Sequence, residues 1–253
     1  MASWTDHAIW WHVYPLGFTG AEKQALAAGK PVRHRLRQLE NWLDYAVELG
    51  CSGLLLGPIF AAETHGYDTV DHFQIDPRLG DQQDFDHLVA AASRRGLRIV
   101  LDGVFNHVGR SFPAFQAALA GGTGSPAARW FRRDPDSGDY QTFEGHDQLV
   151  AFNHDEPEVL DYVVRVMTHW LDRGHGGLAA RRRLRGAAQF LGQGLAQGPG
   201  SVPGRLVRRG SDPRRLPGLC EGQRPGLGHP VRVVEGDLEL AERPQLLRAG
   251  LDP

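Results

Sequence analysis

Cysteine is scarce in this 253-residue sequence: Cys51 and Cys220 are the only two, far apart and in no metal-binding or redox spacing. Cys51 sits in the apolar run Leu49-Gly50-Cys51-Ser52-Gly53-Leu54 and reads as a small core residue. No stretch approaches the roughly 20 apolar residues that a membrane-spanning helix needs. The opening Met1-Ala2-Ser3-Trp4-Thr5-Asp6-His7 lacks the basic start and apolar core of a secretory signal. An excess of one charge is also missing. The net charge is −2 and the pI about 6.6, which excludes the footprint of a nucleic-acid binder. These absences leave a soluble cytoplasmic protein as the expectation, with neither nucleic acid nor membrane as partner.

A more local absence divides the chain. From Gly174 to Pro253 there is no Lys, Ile, Thr, Asn, Met, Tyr or Trp, and Phe190 is the only Phe. Those 80 residues hold 16 Gly, 13 Arg, 13 Leu and 8 Pro. With Val its only β-branched residue and Phe190 its only aromatic of the Phe, Tyr and Trp kind, such a stretch has little from which to build strands or a core. It is expected to be largely irregular, with a short helix over residues 237–248. An Arg-rich RNA-binding tail is a poor match, because neither repeats nor interleaved aromatics occur.

The first 173 residues alternate between strand and helix patterns. Ile9-Trp10-Trp11-His12-Val13-Tyr14 reads as a buried strand stopped by Pro15 and Gly17. Leu36, Leu39, Leu43 and Val47 share a helix face, closed by Gly50. Ser52-Gly53-Leu54-Leu55-Leu56 is a second strand, followed by a long polar loop to about Gly80. Phe85, Leu88, Val89 and Ala92 mark a second helix, with Asp81 as cap and Gly96 as stop. Leu97-Arg98-Ile99-Val100-Leu101 is a third strand ending at Asp102. After another long loop, Val159, Leu160, Val163, Val164, Met167 and Leu171 mark a third helix. Continuous apolar strands alternating with helices predict a parallel sheet with helices outside it. In a barrel of this kind the residues past the strand C-termini form the active-site face, and both long loops fall there.

Three segments on those loops carry chemistry. Gly66-Tyr67-Asp68 is followed by Val70-Asp71-His72-Phe73-Gln74-Ile75-Asp76-Pro77, then Gly80 and Asp84-Phe85. Leu101-Asp102-Gly103-Val104-Phe105-Asn106-His107-Val108-Gly109 ends the third strand. Ala151-Phe152-Asn153-His154-Asp155-Glu156-Pro157-Glu158-Val159 introduces the third helix. Each alone is weak: a turn, a capping Asp, a structural His. Together, in this order and context, they resemble the α-amylase family of glycoside hydrolases over residues 9–173. The fold so implied is an incomplete (β/α)8 TIM barrel of three to four βα units followed by a largely irregular tail. Residues 1–173 would be the front of the catalytic barrel and residues 174–253 the tail. The resemblance gives Tyr67 a sugar ring to pack on, with Asp68 supporting it. It gives Asp102 an arginine to hold and His107 a sugar hydroxyl to bind. Asn106 would help hold a structural calcium, a hard cation suited to carbonyl oxygen. The substrate implied is an α-glucan or α-glucoside, with no other cofactor required.

Members of this family cleave with an Asp nucleophile in a Gly-x-Arg-x-Asp pattern and a Glu general acid further on. Retaining chemistry needs the two carboxyl groups only about 5–5.5 Å apart. After Arg173 the chain instead reads Gly174-His175-Gly176-Gly177-Leu178-Ala179-Ala180-Arg181-Arg182-Arg183, with no carboxylate and no evident strand. Codons exist for residues 178–186 which, read one nucleotide later, give Trp-Arg-Leu-Asp-Ala-Ala-Tyr-Ala. The same offset over residues 208–215 gives Val-Gly-Glu-Val-Ile-His-Gly. Both family motifs, in order and at one offset, lead to the expectation of an out-of-frame tail and a chain without turnover. A sugar binder that does not cleave is the competing class.

Overall fold

A computed structural model describes residues 7–173, 177–180, 206–209 and 232–235. Strand β1 (Trp10–Val13) leads into the short helix α1 (Pro15–Phe18), where Pro15 supplies the first helical position. A 3-10 helix at Leu36–Trp42 runs into α2 (Leu43–Glu48). Leu36, Leu39 and Leu43 are buried as their spacing predicts, but the next inward residue is Ala46 and Val47 faces out. The inward residues are spaced by three, four and three, and Ala46 continues the stripe one turn into α2. Gly50, at φ 73°, closes the element, and every residue of β2 (Gly53–Leu56) is buried.

The loop after β2 is not irregular throughout. It holds an antiparallel pair, β3 (Phe60–Ala62) and β4 (Thr69–Ile75), with shifted register. Helix α3 (Gln82–Arg94) begins at a capping box: Asp81 accepts the Asp84 N–H, and the Asp84 carboxylate accepts the Asp81 N–H. Strand β5 (Arg98–Asp102) follows. The second long loop carries β6 (His107–Gly109), α4 (Pro113–Gly121), β7 (Thr142–Phe143) and β8 (His146–Ala151). These strands form a separate antiparallel sheet in the order β6-β8-β7. Helix α5 (Pro157–Leu171) buries Val159, Val163, Met167 and Leu171, and also Trp170, whose indole N–H donates to the His72 carbonyl at 2.6 Å.

Beyond α5 the main sheet gains β9 (Gly177–Ala180), β10 (Leu206–Arg209) and β11 (Arg232–Glu235). All six of its strands are parallel, in the order β1-β2-β5-β9-β10-β11. Strand β9 corrects the expectation that no strand follows Arg173. A ladder is made by backbone groups, so a Gly-Leu-Ala-Ala stretch can pair without branched side chains. The helix anticipated over residues 237–248 lies outside the described residues.

This sheet is open at β1, which pairs with β2 alone among the described residues. Trp11, Phe18, Trp42 and Tyr45 cluster at that edge, with ring centroids between 5.5 and 6.1 Å apart. Phe18, Trp42 and Tyr45 are exposed there. Among the described residues no helix is long and apolar enough to cross a membrane.

Candidate active site

The three chemistry-bearing segments meet in space, at the C-terminal ends of β2 and β5. The first and second join where Gly109 lies against the Tyr67–Asp68 backbone: a Cβ on Gly109 would fall 2.5 Å from the Asp68 carbonyl oxygen. His72 adds a second tie, its Nε2 lying 3.1 Å from the Val104 carbonyl oxygen. The second and third segments join through the Phe152 N–H, which donates to the Asn106 carbonyl at 3.0 Å. His154 Nε2 lies 2.8 Å from the Phe105 carbonyl oxygen, and His107 sits opposite Ala151 in the β6–β8 ladder.

Arg78 and Asp76 fix the first loop from below. The Arg78 guanidinium is fully buried and bidentate to the Asp76 carboxylate, at 2.9 and 2.6 Å. It also donates to the carbonyls of Glu22, Ala62 and Thr64, so the buried cation is surrounded by acceptors. Thr64 in turn donates its hydroxyl to the Asp68 carboxylate, which also accepts the Gly66 N–H at 3.2 Å. Asp68 is therefore a buried brace for the loop that presents Tyr67. Sequence reading missed Arg78. The only signal was an Arg two residues after an Asp next to a proline.

Tyr67 and His107 line one open cavity of about 450 Å³. The opposite wall is supplied by Phe143, His146 and Asp147 from the β7–β8 hairpin, with His65 at the rim. Asp68 and Asp102 are buried and do not line this cavity. His107 is only 4% exposed, and neither ring nitrogen has a hydrogen-bond partner of ordinary geometry. Burial pushes its pKa down to about 4, although the nearby Tyr67 backbone favours the protonated ring. His107 is thus a neutral imidazole at pH 7, able to donate from one nitrogen and accept at the other.

Asp102 ends β5 and is buried, and its register partner on β9 is Ala179. Placing the Gly-x-Arg-x-Asp pattern from Gly177 puts Ala179 where the arginine would be and Arg181 where the nucleophile would be.

Asn106 is half-buried at the base of β6, and its side-chain oxygen suits a hard cation. Among the described residues, the one group of three His, Cys, Asp or Glu ligands lies elsewhere, at His34, Asp81 and Asp84. That group is the α3 capping box, and Arg37 Nε already donates to Asp84 at 2.8 Å.

A parallel sheet with long loops at its strand C-termini, three loop segments gathered there and a cavity among them define an incomplete (β/α)8 barrel with a small-molecule site on the usual face. Residues 13–180 match the model of the alpha amylase catalytic domain. The chain belongs to the alpha-amylase family. The match runs seven residues past Arg173, through β9.

A cyclomaltodextrinase from Geobacillus thermopakistaniensis is 32% identical over 187 residues, covering 66% of this chain and 32% of that protein. An intracellular maltogenic amylase from Bacillus subtilis is 33% identical over 184 residues, covering 66% and 31%. The ligand-free cyclic alpha-maltosyl-(1→6)-maltose hydrolase from Arthrobacter globiformis superposes with a TM-score of 0.66 at 26% identity, covering 85% of this chain and 53% of that one. The chain spans about a third of the length of the curated relatives it matches.

Proposed function

We propose that this chain carries the front wall of a pocket for α-glucans or α-glucosides, and binds such sugars without cleaving them. One observation carries the reading: segments from three separate parts of the sequence close around a single cavity, with Tyr67 and His107 in its wall. In this reading Tyr67 offers an aromatic face to a pyranose ring and Asp68 holds the Tyr67 loop. His107 hydrogen-bonds a sugar hydroxyl. Asp102, at the end of β5, is the residue that would position an arginine; the pattern's arginine position is occupied by Ala179 in this sequence. Names of the relatives, cyclomaltodextrinase and maltogenic amylase, favour short α-linked glucose oligomers, cyclic ones included, as ligands. The word intracellular in one of those names favours a cytoplasmic location. Asn106 is a chemically suitable ligand for calcium, but no step is assigned to the ion.

A complete relative of this kind would act by retaining double displacement, with a carboxylate nucleophile and a carboxylic acid on either side of the scissile bond. Position 181 is Arg and the described residues offer no second carboxylate in the cavity wall placed for that chemistry. Calorimetric titration with maltose, beside a hydrolysis assay on maltotriose and β-cyclodextrin, tests both halves. Maltose binding with no released glucose or maltose is expected. Measurable hydrolysis would overturn the loss of activity, and absence of maltose binding would overturn the pocket. The out-of-frame reading of the tail is tested by sequencing the source DNA across the Arg173 codon.

A further inference from the structure

His107 is in the wall of the cavity, yet as it stands no ligand atom can reach its nitrogens. Both are shielded from solvent, and the Phe143 ring lies over the imidazole with centroids 4.4 Å apart and planes 36° from parallel. A sugar ring has no room between them. Phe143 itself is half-buried and sits on the two-residue strand β7, whose pairing with β8 shifts register between Thr142 and Phe143. The turn that follows is exposed and puts Glu144 at φ 52° and Gly145 at φ 81°. A left-handed Glu is unfavourable, so the turn beside Phe143 carries local backbone strain.

We propose that Phe143 is the specificity-determining gate of this pocket: a sugar hydroxyl reaches His107 only when Phe143 swings off the imidazole, and the displaced ring then forms the sugar's second face opposite Tyr67. The proposal rests on the sugar-pocket reading above. It accounts for the exclusion of water from both nitrogens in the unliganded state: the Phe143 ring covers the imidazole, and a nitrogen meets a hydroxyl when that ring is displaced. The fraction of molecules with Phe143 displaced scales the apparent affinity, because only the displaced state binds.

Carbethoxylation of His107 by diethyl pyrocarbonate, followed peptide by peptide by mass spectrometry on the full chain, reads the gate directly. With Phe143 in place His107 is expected to be labelled slowly. Phe143→Ala is expected to raise the rate at least tenfold, and Phe143→Leu, which keeps an apolar side chain at the position, to give an intermediate rate. Maltose is expected to slow labelling in Phe143→Ala. Equal labelling of His107 in the native chain and in both variants would overturn the gate, whatever maltose does. Fast labelling in the variants with no effect of maltose, and no calorimetric binding to any of the three proteins, would instead overturn the sugar-pocket reading and the gate's ligand with it.

Discussion

The two long loops that build the cavity are held in opposite ways. The first, after β2, is pinned by a buried ion pair: Arg78 binds Asp76 and donates to the carbonyls around it, and Asp68 braces the turn that carries Tyr67. The second, after β5, is held by hydrophobic and aromatic packing at its base, where Phe112, Phe131 and Phe152 meet, while its tip at Glu144-Gly145 is exposed. One wall of the pocket is therefore set by directional, charged contacts, and the other by a short hairpin with an exposed tip. A site built this way presents a fixed aromatic face at Tyr67 and an adjustable one at Phe143.

Breaking the rigid wall should have the largest effect. Arg78→Ala leaves the Asp76 carboxylate buried without its cation, which costs about 3–5 kcal/mol in comparable sites. The expected result in urea denaturation is a large drop in the midpoint or no cooperative transition at all. A midpoint within experimental error of the native value would show that the loop is held by something else.

The tie between the two loops should report on pH. His72 hydrogen-bonds the Val104 carbonyl and lies 3.1 Å from the Tyr162 hydroxyl. Burial pushes its pKa down to about 4, against the smaller opposing effects of the Val104 carbonyl and the Asp71 charge. The unfolded chain takes up this proton near pH 6.5 and the folded chain only near pH 4. The contribution to stability is therefore complete above about pH 6.5 and falls away as the pH drops towards 4, by roughly 3 kcal/mol. His107, depressed to about the same value, adds to the same slope. Denaturation midpoints measured from pH 7 to pH 4 should fall steadily, and His72→Gln should flatten part of that fall. A slope unchanged by the substitution would remove His72 from the account.

The contact between the loops is sharpened by Gly109→Ala. The added methyl would meet the Asp68 carbonyl oxygen at 2.5 Å, so backbone must shift. Overpacking of this sort costs about 1–3 kcal/mol. It should also weaken maltose binding by displacing Tyr67. Native affinity in this variant would show that the Tyr67 loop and β6 move independently.

The smallest effect is expected at the hairpin tip. Glu144→Gly relieves the left-handed backbone strain at φ 52° and should raise stability by at most about 1 kcal/mol, seen as a small rise in melting temperature. A fall would mean that the Glu144 side chain contributes more than its backbone strain removes.

The parallel architecture was legible because its strands are short, apolar runs and its helices carry clean stripes; β1, β2, β5, α3 and α5 fall where the pattern places them. The capping box at Asp81 and the stop at Gly96 were legible for the same reason, since caps depend on the nearest neighbours in the chain. Tyr67 and His107 were found through motifs, and they do line one cavity. The β3–β4 pair and the β6-β8-β7 sheet were not found. Their burial patterns do not alternate cleanly, and their registers are set by bulges and by partners dozens of residues away. Phe143 and His146 have no local signature at all and enter the wall only because β8 pairs with β6. Strand β9 was concealed by composition, because a ladder needs backbone groups more than it needs particular side chains.

The sequence by itself determined the family, the strand–helix alternation and the residue types available to hold a sugar, since periodicity, caps and motif chemistry are properties of adjacent residues. Only the tertiary structure decided which of those residues share a cavity, that Asp68 and Asp102 are buried outside its lining, and that Phe143 covers His107. Those outcomes depend on distant segments competing for the same space, and steric exclusion between them leaves no trace in any short stretch of the chain.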